Sequence, residues 1–513
     1  MNKNTQTIQL SGSNLTIDQI YSYASGTAAD FQFEMDAKAH QKLKKSREFV
    51  LEVVRIGKPV YGINTGFGVL SDQFIQQKDL AELQVNLIRS HCTGVGKPFS
   101  IHITRSIHLI LANSLLKGYS GIAPEIVELI LAFLNHDMAP VIPEKGSVGA
   151  SGDLAPLSHL AHCLIGEGDV IFENKIQPAH SVLKKLGLKP VSLGPKDGLA
   201  LINGTHVMCA LACKAVYEAK QLIKAADLVC AMSLEGVRGS VVAFDEDLHN
   251  LKAHKGQVES AQNVRALLKN SPILKSHENC NRVQDAYSFR CAAQVHGASR
   301  QAIDHTEMVV SQELQSVTDN PIVFADQKRV VSGGHFHGEA LAMAMDYLSI
   351  GVAEICSISE RRVVKMVNPE FSQLPVFLTK NSGLHSGLMI VQYTSAALVS
   401  ENKVLAHPAS VDSVSTNNDK EDHVSMGLTS GRKLQEIVFN ATQCLAIEFL
   451  CATQAIHLLR PLQSSKTIEK VISKIRETVP PISDDRYFAK DIESIAALVQ
   501  SGEILKACDI ELV

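Results

Sequence analysis

Seven polar stretches interrupt the apolar runs of this chain: YGINTGFG (61–68), RSHCTGVG (89–96), GSVGASGDLAP (146–156), LINGTH (201–206), QDAYSFRC (284–291), SGGHFHGE (332–339) and NNDKEDHVS (417–425). Polar loops between apolar helices can line a shared cavity, because buried polar groups need partners and loops carry function. The third stretch sets Gly149, Ala150, Ser151 and Gly152 directly ahead of a helical pattern. As local structure it reads as a turn, with Ser151 or Asp153 capping a helix whose first turn holds Pro156. QDAYSFR spaces Gln284, Tyr287 and Arg290 three residues apart, so on a helix they share roughly one face. Such a face is either solvated or the wall of a pocket with a phenolic base and a guanidinium anion anchor. His335 and His337 flank Phe336, but they point to opposite sides of a strand and are skewed on a helix. No carboxylate at helical spacing completes a set, so no metal site is expected. The glycines of 62–68 lack the GK[ST] ending of a phosphate loop, no GxGxxG follows a strand, and GASGD is not a GxSxG elbow.

The elements that must hold these residues are mainly helical. IAPEIVELILAFLNHDM (122–138) has Pro124 near its start and apolar residues at three- and four-residue spacing. The run 207–234 is apolar around much of its circumference, as in a helix inside a bundle. Long helices are also expected at 296–316, 338–365, 385–406 and 431–459, with shorter ones at 466–478 and 489–503. VIFENKIQP (170–178) is the best strand pattern, a small hairpin. Gly and Pro concentrate in the first 205 residues, which predicts a mainly α chain: a loop-rich N-terminal domain over 1–205, then a helical bundle and C-terminal helices over 206–513. A net charge of −4 and the absence of Trp argue against a nucleic-acid or acidic-membrane surface. The first residues lack the apolar core of a signal peptide, and the uncharged stretch 381–400 is broken by Asn, Ser, His and Gln. The 11 scattered cysteines include no CxxC pair and read as reduced core residues, so a cytoplasmic protein acting on a small molecule is expected.

From roughly residue 10 to residue 460, through all seven stretches in order, the chain resembles the aromatic amino acid ammonia-lyase family; GASGDLAPLSH is the most specific match. The resemblance implies that Ala150, Ser151 and Gly152 cyclise and lose water to form 4-methylidene-imidazol-5-one, an electrophile built from the chain itself, with no diffusible cofactor. Glycine at 152 would remove a side chain from the path of ring closure. It further implies that Tyr287 is the base for the β-proton, Tyr61 the tyrosine of a closing inner loop, and Arg290 the carboxylate anchor. Asn203 would support the prosthetic group, with Gln284 and Phe336 as pocket residues. Ser90 and His91 resemble the pair of the histidine-specific members, and Glu421 a carboxylate set against the substrate imidazole. The implied reaction is that of a carbon–nitrogen lyase: ammonia leaves L-histidine and trans-urocanate remains. The implied architecture is a fumarase/aspartase-like homotetramer whose active sites are shared between subunits.

The sequence also departs from the histidine-specific pattern. His335 stands for the usual Asn of GGNFH, Asp419-Lys420 precede Glu421 where NQED is usual, and Ala293 replaces a proline. His335 and Lys420 are expected to add cationic character near the pocket. A tyrosine or phenylalanine lyase, a 2,3-aminomutase using the same prosthetic group, and an inactive scaffold relative are the alternatives.

Overall fold

The computed structural model describes residues 5–13, 15–252, 254–278 and 282–513. The chain forms two compact units. The first comprises 1–214, 306–346 and 408–432; the second comprises 215–305, 347–407 and 433–513. The chain first crosses from one unit to the other at 214/215. The returns at 306–346 and 408–432 are what a linear reading does not give.

The helices form where periodicity and caps place them. Asp36 caps Ala37–Ile56 through Lys38 and Ala39 amides, and Gly57 closes it in the left-handed conformation. Thr16 and Gln19 make a reciprocal capping box on Ile17–Ser25. Pro124 opens Pro124–Asn135 at its first position, where a missing N–H costs nothing. The long helices are His206–Gly236, Ala292–Leu314, Glu339–Val367, Met389–Leu405 and Gly427–Leu458, followed by Lys466–Arg476 and Phe488–Gln500. Each lies within a few residues of its predicted span. His206–Gly236 is buried on nearly all sides, as its unbroken apolar circumference requires.

Strands are few and short. Gln6–Leu10 pairs in parallel with Phe31–Met35. Asp169–Phe172 and Lys175–Pro178 form the expected antiparallel hairpin, with Glu173 and Asn174 both at positive φ, as a two-residue turn of matching twist needs. The cysteines among the described residues are all free.

Candidate active site

The first unit holds a cavity of about 510 Å³, a volume suited to a small molecule. Apolar Leu83, Leu87, Leu154, Leu199 and Ile202 form part of its wall; Tyr61, Ser90, His91, Ser151, Asn417 and Glu421 supply its polar chemistry.

Ser151 reaches the cavity from a strained turn. Its φ is +52°, and Gly149 and Gly152 stand at +86° and +80°. The turn is held from outside: Asp153 N donates to Gly204 O (2.8 Å), Gly204 N to Ser151 O (3.1 Å), and Met426 N to Val148 O (2.8 Å). Ser147 Oγ donates to Gly152 O at 3.2 Å. A Cβ on Gly152 would collide with the Gly204 carbonyl, so glycine is required by this close approach as well as by φ.

Asp153 precedes the helix Leu154–Leu164 but makes no side-chain bond to it, and Ser151 is no cap either. The local-cap expectation is therefore corrected. The Asp153 carboxylate instead accepts from Val207 N (2.8 Å) and Met208 N (3.0 Å), closing the start of the helix His206–Gly236. Its other oxygen is buried without a partner. Burial, only partly offset by those amides, pushes this carboxyl up to about 7. His206, which precedes Val207 in sequence, is buried with both ring nitrogens unpartnered, and burial pushes it down to about 4.

Asn203 ends the short helix Asp197–Ile202. Its amide nitrogen donates to Asp319 Oδ1 (3.2 Å) and to the Asn320 carbonyl (2.9 Å). Lys196 Nζ holds the other Asp319 oxygen at 2.6 Å, and all three side chains are buried. With both amide hydrogens engaged, the Asn203 side chain has only its oxygen left to offer.

Ser90 and His91 end the helix Leu80–His91. Ser90 Oγ donates to Leu87 O (3.1 Å), and His91 Nδ1 lies 2.8 Å from the same carbonyl. That carbonyl keeps the proton on Nδ1 and leaves Nε2 as the acceptor. Burial lowers the His91 pKa, opposed by the Leu87 carbonyl and by the Glu421 charge. Glu421 itself is fixed by Thr416 Oγ1 and Asn417 Nδ2, each at 3.1 Å. Asn417 also accepts from Val69 N at 3.3 Å, which ties the 61–75 loop to the Glu421 segment. Burial is the main force raising the Tyr61 phenol, with the Glu421 charge adding to it and the Gly68 backbone opposing.

The cavity thus unites Tyr61, Ser90, His91, Ser151 and Glu421, with Ala150, Gly152 and Asn203 on the flanking backbone. Gln284, Tyr287, Arg290 and Phe336 are not among its lining residues. Tyr287–Arg290 is a single helical turn in the second unit, where the Arg290 guanidinium sits 4.3 Å from the exposed Tyr287 ring centre. Gln284 lies outside that turn, so the expected common helical face fails for it. The neighbouring Asp285 carboxylate binds Ser240 N and Arg282 and holds 282–286 non-helical. Lys420 does not line the cavity: its ammonium donates to Ser71 Oγ at 2.9 Å, and His335 is exposed. Asn417, Asp319 and Lys196 were not anticipated. Asn417 stood within a polar stretch already noted, whereas nothing local marks Lys196 and Asp319 as partners 123 residues apart.

A strained Ala-Ser-Gly turn, an imidazole and a carboxylate share one cavity, and the chain matches known proteins along nearly its whole length. Residues 15–477 match the aromatic amino acid lyase family. The chain belongs to that family. Among its relatives, a histidine ammonia-lyase of Myxococcus xanthus is 47% identical over 500 residues, covering 98% of each chain. The crystal structure of histidine ammonia-lyase from Trypanosoma cruzi is 44% identical, with a TM-score of 0.91 over 98% of this chain and 95% of that one. Tyrosine aminomutase from Streptomyces globisporus is 36% identical, with a TM-score of 0.92 over 99% and 100%. The mainly α fold is that of these neighbours, and membership makes the protein a carbon–nitrogen lyase.

Proposed function

We propose that the protein eliminates ammonia from L-histidine to give trans-urocanate, using an electrophile formed from Ala150, Ser151 and Gly152. The observation that carries this reading is the placement of His91 and Glu421 on the same cavity as Ser151. The tripeptide fits the group: its turn is already at positive φ, and the space beside Gly152 is closed to any side chain by Gly204. When formed, a methylidene-imidazolone supplies the electrophilic carbon that makes an amine able to leave.

The remaining work falls to side chains. Glu421 accepts a hydrogen bond from the substrate imidazole and favours its charged form, which withdraws electrons from the side chain and acidifies the β-proton. His91 Nε2 accepts a second one. Asn203, its amide hydrogens turned toward Asp319 and Asn320, presents an oxygen that can accept from an ammonium. Tyr61, on a loop tied to Asn417, closes over the substrate and excludes water.

Arginine and lysine are absent from the cavity lining among the described residues. A substrate carboxylate nevertheless needs a cation, and the exposed Tyr287 with Arg290 over its ring offers a base and an anchor. The homotetramer reading meets this need: Gln284, Tyr287, Arg290 and Phe336 arrive from neighbouring copies, in a cytoplasmic assembly. Mixing Ser151→Ala with Tyr287→Phe subunits then regains activity that neither has alone; an active monomer by light scattering contradicts it.

The substrate is tested by incubating the protein separately with L-histidine, L-tyrosine and L-phenylalanine, following the ultraviolet spectrum and chromatographing for β-amino acids. Urocanate from histidine alone, abolished by Ser151→Ala, is the expected result. Coumarate or cinnamate reassigns the substrate, and a β-amino acid reassigns the reaction to the aminomutase type. No product from any of the three points to an unusual substrate or to the scaffold alternative.

A further inference from the structure

The turn 332–338 and the loop 415–425, both in the first unit, bring together three side chains that the proposed elimination does not use: His337, Glu339 and His423. One potential ligand atom from each lies within 4.8 Å of the others. The two imidazole ring centres are 5.8 Å apart. His337 N donates to Gly334 O at 2.9 Å, which folds the turn back, and Glu339 opens the helix Glu339–Val367. On the other side Val424 N donates to Ser413 Oγ at 2.9 Å and Met426 N to Val148 O at 2.8 Å, fixing the backbone that carries His423.

Two further observations point to a ligand here. Glu339 Oε2 is buried with no hydrogen-bond partner. A carboxylate oxygen taken out of water without a donor is unfavourable, and a cation relieves that. His337 Nε2 lies 3.2 Å from the His423 carbonyl oxygen. That contact holds the proton on Nε2 and leaves a lone pair on Nδ1, the arrangement that outer partners impose on metal-binding histidines.

We propose that His337, Glu339 and His423 form a binding site for a divalent transition-metal ion of the zinc type. Two imidazole nitrogens and one carboxylate suit Zn²⁺ or Co²⁺ and leave positions for water, whereas Mg²⁺ and Ca²⁺ prefer oxygen donors. Bonds of about 2.0–2.2 Å require the three atoms to close in, which the exposed His423 side chain is free to do. The metal-free sequence expectation weighed His335 with His337. The fold instead pairs His337 with a carboxylate two residues on and an imidazole 86 residues away, and leaves His335 outside. An ion here staples the segment bearing Phe336 to the segment bearing Glu421.

The test is calorimetric titration of chelator-treated, dialysed full-length protein with Zn²⁺, and with Co²⁺ read by visible absorption. The expected result is saturable binding of one ion per chain and a raised melting temperature, with Mg²⁺ producing neither. His337→Ala, His423→Ala and Glu339→Gln each weaken Zn²⁺ binding by about tenfold or more, while His335→Ala leaves it unchanged. Circular dichroism of each variant without metal verifies folding, and the near-isosteric Glu339→Gln keeps the test decisive should a histidine variant fail to fold. Absence of saturable binding, or binding undiminished in a folded Glu339→Gln or His423→Ala protein, overturns the proposal. So does an equal loss in His335→Ala. None of these readouts depends on turnover, so they separate this site from the proposed elimination.

Discussion

Two fully buried aspartates, one in each unit, meet opposite fates. In the second unit Asp227 accepts from His296 Nδ1 (2.7 Å), Arg300 Nη2 (2.7 Å) and Asn263 Nδ2 (2.9 Å). Burial alone would raise it, but the His296 hydrogen bond and the Arg300 charge together hold it well below the usual carboxylate range. In the first unit Asp153 receives only backbone amides, keeps one oxygen unpartnered, and is pushed up to about 7. The same contrast extends outward. Arg362 and Glu448 in the second unit are wholly buried and bonded to each other, with Ser233 on the same carboxylate. His206 in the first unit has no partner at all on its ring nitrogens. Saturated ionic networks hold helices together; unsatisfied polar groups around the Ala150–Gly152 turn are held by the fold in spite of their cost, as at sites that do chemistry.

The comparison can be broken most forcefully in the second unit. Arg362→Met leaves Glu448 buried without its cation and is expected to cost about 3–5 kcal/mol, read as a lowered urea midpoint. A change below about 1 kcal/mol would show that this network is not the structural brace described.

Asp153→Asn probes the opposite case through pH. The folded carboxyl titrates at about 7 against roughly 3.9 unfolded, so its protonation favours the fold fully below about pH 4. That contribution is lost as pH rises through about 7. The uncharged amide lacks this dependence, so the variant should gain on the parent between about pH 4 and 7, by a few kcal/mol at most. A stability difference flat with pH would contradict an unpaired Asp153.

Within the cavity, the proposed elimination has His91→Leu and Glu421→Gln each remove a substrate hydrogen bond, and Glu421→Gln also a charge. Each should lower kcat/KM for L-histidine by roughly 10- to 100-fold, with less than additive loss in the double variant because both grip one ring. Full additivity would mean that they act on different groups. The smallest effect is expected for Lys420→Met: the ammonium is exposed, and its loss should shift stability by under about 0.5 kcal/mol. A changed order of substrates would place Lys420 nearer the chemistry than its bond to Ser71 implies.

Helices were legible because their signals are local. Pro124 and the apolar spacing of 122–138 mark one helix without reference to anything else, and the alternation within 170–178 marks the hairpin in the same way. The Ala150–Gly152 turn was legible as composition. What caps what was not: Asp153 sits where a local N-cap belongs, yet bonds amides more than fifty residues on, a choice made by tertiary packing. Gln284 fell outside the expected helical face because Asp285 binds Ser240 and Arg282 instead. His335 and Lys420 stood out only as departures from the family pattern, and such a departure does not say where a side chain points; the fold turns Lys420 onto Ser71.

The central claim is that the chain makes its electrophile from residues 150–152, and mass spectrometry of a proteolytic peptide spanning 146–159 addresses it most directly. A peptide lighter than its sequence by two water molecules, one from ring closure and one from Ser151, is the predicted result. A peptide of unmodified mass from catalytically active protein would contradict it.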